Sequence, residues 1–131
     1  MTAVLVDHNL EGQAQLILGF LAAEGWLELM PLQLWTLAEV GLPFNSSDRV
    51  IWRFCQERSM LLLTGNRAGK GADSLEMTLR VENTSSSLPV ITIASTDRLG
   101  EREYRKRCAE RLIEVVFDLD QYKGVGRLFI P

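Results

Sequence analysis

The chain has 131 residues, of which 47% are apolar and 24% are charged, and its formal net charge is −3. This length suffices for one hydrophobic core and is short for two ordinary domains, so we predict a single domain over residues 1–131. No apolar run approaches the ~20 residues that a bilayer crossing needs, and no secretory signal opens the chain. The acidic balance excludes a protein that holds nucleic acid by bulk positive charge. Two cysteines make no disulfide framework, so we expect reduced thiols in a cytoplasmic protein.

A short strand and an amphipathic helix open the chain. Ala3 to Val6 is an apolar run that ends in the polar sequence Asp7-His8-Asn9. From Gln13 onward the apolar residues follow a helical period, with Asn9 as the expected N-cap and Gly25 as the residue that ends the helix. A strand followed at once by a helix predicts the start of a βαβ unit.

The next part of the chain predicts a second strand and a second helix. Alternating apolar residues favour a strand at Leu32 to Trp35, and Thr36 to Glu39 fits a short helical turn. The loop from Pro43 to Ser47 ends in two serines that can cap a helix beginning at Asp48. We expect that helix to bury one face, formed by Val50, Ile51, Phe54 and Cys55.

The segment from Met60 to Asp73 is the centre of the predicted fold. Its apolar run is too short for a helix and does not alternate, which is typical of a strand covered on both faces in a parallel sheet. Ligands of open α/β sheets bind beyond the carboxyl ends of the strands. We therefore expect this strand end and the first one to lie side by side, and Thr64, Asn66 and Asp73 to lie at a candidate site.

The remaining residues predict a helix, a strand, a helix and a strand. A short helix spans Asp73 to Glu82, and Pro89 to Ser95 is a β-rich run. The long amphipathic helix that follows has an apolar side formed by Tyr104, Cys108, Leu112, Val115 and Val116. The glycines Gly124 and Gly126 end this helix, and Arg127 to Ile130 predicts a last edge strand.

Acidic and amide side chains follow several of these strands or begin helices. They are Asp7, Asn9, Asp48, Asn66, Asp73 and Asp97. Clustered carboxylates without histidine or thiol ligands suit Mg²⁺ or Mn²⁺, and such an ion supports phosphodiester hydrolysis. Structural roles account for the same residues: capping of the first helix by Asp7 and Asn9, a helix-start charge at Asp48, and turns at Asn66 and Asp97.

Other sites are less compatible with the sequence. The glycine-rich run from Gly65 to Gly71 is not a P-loop, because three residues separate its first two glycines and Gly71 follows Lys70. Arg67 and Lys70 are candidates for contacts to nucleic-acid phosphates, with a solvated loop as the alternative. The single histidine, His8, has no nucleophile placed for a catalytic triad, and two distant cysteines cannot complete a zinc site with it.

The chain resembles the PIN-like domain superfamily over about residues 3 to 95, in particular a short bacterial branch that opens on a strand ending in Asp-Glu-Asn-Leu. Val4 to Leu10 (VLVDHNL) stands in that place, Ser47 to Ile51 (SDRVI) matches the next helix start, and Leu61 to Arg67 (LLLTGNR) matches a strand ending in Thr-x-Asp-x-Asp-Phe. The resemblance implies a three-layer α/β/α sandwich with a central, mainly parallel sheet. It also implies a Mg²⁺- or Mn²⁺-dependent ribonuclease, often the toxin that pairs with an antitoxin protein.

On this resemblance, Asp7, Asp48 and Asn66 are the ligands of the metal ion. We add Asp73, from the loop that follows the matched strand, as a fourth catalytic residue around the ion. The residues that we assign to RNA contacts are Asn9, Arg67 and Lys70.

The sequence departs from the pattern of that branch at three points. Asn66 stands where the branch has an aspartate, the following Asp-Phe is absent, and His8 replaces a glutamate. A neutral amide oxygen in place of a carboxylate weakens a Mg²⁺ site. The alternative is therefore a degenerate PIN-like domain that binds RNA or a protein without cutting. A third interpretation, a structural homodimer, requires one surface patch made of Trp26, Trp35, Trp52 and Phe129.

Overall fold

Five parallel strands form the sheet at the centre of the molecule. The computed structural model of the chain describes residues 1–65 and 71–131. The strands are β1 (Thr2–Val6), β2 (Leu32–Trp35), β3 (Leu61–Thr64), β4 (Val90–Ile93) and β5 (Arg127–Ile130). Their order across the sheet is β2-β1-β3-β4-β5, and every neighbouring pair is parallel.

Helices cover both faces of this sheet. They are α1 (Glu11–Ala23), α2 (Trp26–Leu29), α3 (Asp48–Arg58), α4 (Leu75–Glu82), α5 (Arg102–Phe117) and α6 (Leu119–Tyr122), with 3-10 turns at His8–Leu10 and Thr96–Gly100. One apolar cluster joins the sheet to α1 and α5, and a second joins it to α3 and α4. The predicted three-layer α/β/α architecture is confirmed. None of the helices within residues 1–65 and 71–131 has the length and apolar character that crossing a bilayer needs.

The central strand β3 explains why both faces are covered. Leu61 and Leu63 belong to the cluster with α1 and α5, whereas Leu62 belongs to the cluster with α3 and α4. All four residues of β3 are buried, as the uninterrupted apolar run predicts. Strand β1 follows the same alternation, because Leu5 lies in one cluster and its two neighbours lie in the other.

Two predicted helix ends are confirmed. Gly25 follows the last turn of α1 with a φ of +79°, a conformation that glycine adopts without steric cost. Ser47 caps α3, because its side-chain oxygen accepts a hydrogen bond of 3.3 Å from the backbone N–H of Val50. This cap fixes Asp48 as the first residue of α3.

The predicted capping of the first helix is wrong. The backbone N–H of Leu10 donates to the carbonyl of Asp7 over 2.9 Å, which closes a 3-10 turn and places Asn9 inside it. Helix α1 then begins at Glu11 without a side-chain cap, and the side chain of Asp7 does not cap the 3-10 turn. The capping interpretation of Asp7 and Asn9 is thereby excluded.

The buried face of α3 also differs from the prediction. Val50 is 46% exposed, and Trp52 at 4% exposure joins Ile51 and Cys55 in the apolar cluster. Packing against the sheet sets the rotation of α3 about its own axis. The apolar periodicity of the sequence does not define that rotation closely enough to choose between neighbouring residues for the buried face. Helix α2, between α1 and β2, is an element that the sequence did not predict.

The strand order reverses between β1 and β3, at the carboxyl edge of the sheet. The chain passes from β1 to β2 on one side and then crosses back to β3 on the other side of β1, with α1 and α3 on opposite faces of the sheet. Crevices at such points, beyond the carboxyl ends of the strands, are where open α/β sheets bind ligands. The residues that follow β1 and β3 therefore line the candidate site.

Candidate functional site

Asp7 and Thr64 meet at the ends of the two central strands. The hydroxyl of Thr64 donates a hydrogen bond of 3.0 Å to Oδ2 of Asp7, and the backbone N–H of Asp7 donates to the carbonyl of Leu63 over 3.0 Å. Asp7 is half-buried, and Thr64 is buried. The prediction that these two strand ends lie side by side is confirmed.

Gly65 brings the turn after β4 against this pair. A Cβ added to Gly65 would lie only 2.6 Å from Cγ2 of Thr96 and 4.0 Å from Cδ1 of Leu10. The end of β3 is therefore enclosed between the 3-10 turns that follow β1 and β4. Sequence reasoning took this glycine as part of a polar loop and did not predict the contact.

Asp48 lies at the same edge, because α3 follows β2 and begins beyond its carboxyl end. Its Oδ2 atom accepts a hydrogen bond of 3.0 Å from the backbone N–H of Leu75, the first residue of α4. A carboxylate at a helix N-terminus is stabilised by the free N–H groups there. One oxygen of Asp48 is thus engaged in joining α3 to α4.

Asp73 has a different position from the one that the sequence predicted. Helix α4 begins at Leu75, and its cap is Ser74, whose side-chain oxygen accepts from the N–H of Met77 over 3.2 Å. Asp73 therefore does not open the helix. It is exposed, and its Oδ1 lies 3.3 Å from Nη1 of Arg49.

The remaining predicted site residues divide into three groups. Asn9 is exposed in the 3-10 turn after β1. Asp97 is exposed in the 3-10 turn after β4, which agrees with its interpretation as a turn residue. Asn66, Arg67 and Lys70 lie outside the described residues.

The described carboxylates provide part of the ligand set that a hard cation requires. Asp7 offers a carboxylate and Thr64 a hydroxyl oxygen, and the two groups are joined by a hydrogen bond of 3.0 Å. Asp48 and Asp73 interact with Leu75 and Arg49 respectively. Within residues 1–65 and 71–131, no three side chains of the His, Cys, Asp and Glu types form a group that could hold a metal ion.

An aromatic pair stands beside Asp7. The ring of Phe44 lies 5.6 Å from the ring of His8, centroid to centroid, at an interplanar angle of 44°. Phe44 is 72% exposed, although large apolar side chains are usually covered. Sequence reasoning passed over Phe44, and the available signal was one aromatic residue within the polar loop from Pro43 to Ser47.

The tryptophans do not form the surface patch that the homodimer interpretation requires. Trp52 is buried on the inner face of α3, whereas Trp26 packs against the cluster on one face of the sheet and Trp35 against the cluster on the other. Phe129 is 46% exposed at the edge strand β5. That interpretation loses its main support.

A broad cleft lies away from the strand ends, between α4 and β5. Its volume is about 560 Å³, and its walls include Leu79, Arg80, Asn83 and Phe129. Arg127, which also lines the cleft, donates a hydrogen bond of 2.8 Å to the hydroxyl of the buried Thr92. Neither Asp7 nor Thr64 lines the cleft, so it is separate from that pair.

Both cysteines are free, as predicted, and each lies on a helix. Burial raises the pKa of Cys55 on α3 to about 12 and that of Cys108 on α5 to about 11. A thiol with a raised pKa is a poor nucleophile at neutral pH. The two thiols belong to opposite faces of the sheet and are core residues.

Comparisons of this chain with protein-family models, with curated proteins and with solved structures found no match.

Proposed function

We propose that this chain is a metal-dependent ribonuclease of the PIN-like type, whose site lies at the carboxyl edge between β1 and β3. The partner molecule is RNA, and the resemblance adds an antitoxin protein as a second partner. We assign Asp7 as the main ligand of a Mg²⁺ or Mn²⁺ ion. When bound, this ion would supply an activated water and stabilise the leaving oxygen.

The observation that supports this proposal is the hydrogen bond between Asp7 and Thr64. It holds a half-buried carboxylate at the switch point of a parallel sheet, in the motif Val4 to Leu10 that carries the resemblance. Because Thr64 donates to one oxygen of Asp7, the carboxylate has a fixed orientation. An oxygen ligand fixed in this way suits the strict geometry of Mg²⁺.

A second candidate function is RNA binding without cleavage. It is favoured by the engagement of the other two carboxylates, since Asp48 accepts from the N–H of Leu75 and Asp73 lies beside Arg49. Asn66 supplies at most a neutral oxygen. The two candidates share the same edge of the sheet and differ in whether a catalytic ion is bound there.

The test is Mn²⁺ binding by isothermal titration calorimetry, together with cleavage of labelled RNA with and without a chelator. The variants are Asp7→Asn and, as a matched control, Asp97→Asn. Asn at residue 7 keeps the shape and an acceptor for Thr64 but removes the charge, so we expect Mn²⁺ binding and cleavage to fall at least tenfold. Asp97 is exposed in the turn after β4, and its variant should behave like the wild type.

The outcomes separate the two candidates. Metal binding and cleavage that depend on Asp7 support the ribonuclease. RNA binding without metal binding at millimolar Mn²⁺ supports the non-cutting domain and contradicts the ribonuclease. A chain that binds neither metal nor RNA contradicts both.

A further inference from the structure

The pair of Phe44 and His8 is an exposed aromatic surface that the proposed ribonuclease reaction does not use. Phe44 is 72% exposed, and its only described ring contact is to His8. An exposed phenylalanine contributes little to folding, because its ring stays in water. The ring of Phe44 is therefore accessible to a ligand, and its position beside Asp7 distinguishes it from other exposed apolar side chains of the chain.

The backbone around Phe44 holds the ring outward. The backbone N–H of Ser46 donates to the carbonyl of Pro43 over 3.0 Å, and the hydroxyl of Ser46 donates to the same carbonyl over 2.7 Å. Ser47 follows directly as the cap of α3. Phe44 is thus presented by a hydrogen-bonded turn that is tied to a helix, which lowers the entropy lost when a ligand binds.

The position of the pair connects it to the candidate site. His8 follows Asp7 directly, within the 3-10 turn that leaves β1. Nδ1 of His8 lies 3.4 Å from Oε2 of Glu11, a contact that helps to hold the imidazole beside the ring of Phe44. The aromatic surface therefore begins one residue from the carboxylate at the end of β1.

The neighbours of the pair indicate what it binds. Asn9 and Asn45 are exposed on the two chain segments that carry the rings, and Ser46 is half-buried beside them. A protein partner is usually recognised by a contiguous apolar patch. One aromatic face among amide groups instead matches a nucleobase, which offers a flat ring and hydrogen-bonding edges.

We propose that Phe44, supported by His8, stacks an unpaired nucleobase of the RNA bound at the carboxyl edge of the sheet. This inference rests on the proposed function, because it takes RNA as the ligand of that edge. Stacking on an aromatic ring depends on the face of the base and tolerates any sequence. Phe44 is then a positioning contact that places the chain of the RNA beside Asp7.

The test compares RNA affinity in variants of two equally exposed phenylalanines. Phe117 is 74% exposed at the end of α5, at the opposite edge of the sheet, and Phe117→Ala is the matched control for Phe44→Ala. The probe is a short fluorescein-labelled oligouridine, followed by fluorescence anisotropy at fixed low salt. We expect Phe44→Ala to weaken RNA binding about tenfold, because alanine removes the ring on which one base stacks. Phe117→Ala should leave the affinity unchanged.

Two further variants test the stacking itself. Phe44→Trp keeps an aromatic face and should retain wild-type affinity, whereas Phe44→Leu keeps the apolar volume and should bind as weakly as Phe44→Ala. Urea unfolding midpoints equal to that of the wild type exclude a loss of fold.

The failure of this inference is distinguishable from the failure of the proposed function. Wild-type affinity in Phe44→Ala or in Phe44→Leu overturns the stacking contact while RNA binding at the edge stands. A wild-type chain that binds no RNA overturns the proposed function and the stacking contact together.

Discussion

Residue 65 is where the end of β3 meets the turns that follow β1 and β4. Gly65 has no side chain, and the methyl group of Thr96 occupies the space that a Cβ would need. The φ of Gly65 is not among the positive values found at other glycines of the chain, so its backbone conformation is open to other residues. The requirement for glycine here comes from the contact with Thr96.

We therefore expect Gly65→Ala to destabilise the protein by about 1–3 kcal/mol, the usual cost of overpacking. Thr96→Ser removes the obstructing methyl group, and the double variant should recover most of the loss, as measured by urea unfolding midpoints. Gly19→Ala is the control, because nothing lies within 4 Å of its added Cβ and α1 should gain up to ~1 kcal/mol. If Gly65→Ala lowered the stability equally in the Thr96→Ser variant and in the wild type, this explanation would be contradicted.

Among the elements, α3 positions α4 through charged side chains. Arg53 binds Glu82 through two hydrogen bonds, of 2.8 Å from Nε and 2.9 Å from Nη2. Nε of Arg49 lies 3.5 Å from the same carboxylate. Asp48 holds the first turn of α4 through Leu75. Both ends of α4 are thus held against α3, and these contacts fix the position of α4 relative to the candidate site.

The pair of Arg53 and Glu82 predicts a pH dependence of stability. Hydrogen bonds from Arg53 lower the pKa of Glu82 below its ordinary value of 4.5, against the opposing effect of burial. A carboxylate whose pKa is lower in the folded state stabilises that state above the unfolded pKa, and this contribution is lost as the pH falls through the folded pKa. Glu82→Gln should therefore lower the urea midpoint at neutral pH and have little effect in acid.

The control for this prediction is Glu110→Gln, on the exposed side of α5. Its midpoint should follow the wild type at every pH, because it lies away from the contacts between α3 and α4. A difference between wild type and Glu82→Gln that stays constant down to strongly acidic pH would contradict a role for the charge of Glu82.

For the whole molecule, the sequence predicted what depends on local pattern. The buried run of β3, the apolar side of α5 and the glycine after α1 each follow from neighbours along the chain, and all are confirmed. The missed features depend on contacts between distant segments. The hydrogen bond from Leu75 to Asp48 spans 27 residues, and the contacts of Phe44 with His8 and of Gly65 with Thr96 are also between separate loops.

The candidate site was predictable only as a position. The order of polar residues after apolar runs indicated the carboxyl edge of the sheet, and the pairing of Asp7 with Thr64 agrees with it. The roles of Asp48 and Asp73 were not predictable, because each depends on where α4 begins. A helix start moves by a residue or two according to which side chain caps it, and here Ser74 does so.

The prediction of a single domain can be tested with the two thiols, which report on opposite faces of the sheet. Cys55 and Cys108 are both fully buried, and their raised pKa values keep them protonated at mildly alkaline pH. A thiol reagent at pH 8 should therefore react with neither in the native protein. The variants Cys55→Ala and Cys108→Ala each leave one thiol, so that labelling in rising urea follows one face at a time.

We expect each variant to show a labelling transition that coincides with its own unfolding transition by circular dichroism. Strands β1, β3 and β4 contribute side chains to both apolar clusters, so neither face can lose its packing while the other keeps it. Such shared strands make unfolding cooperative, as in most domains of this size. A thiol that becomes reactive well before its variant unfolds would show that one helical layer separates first, and the single-domain prediction would then be wrong.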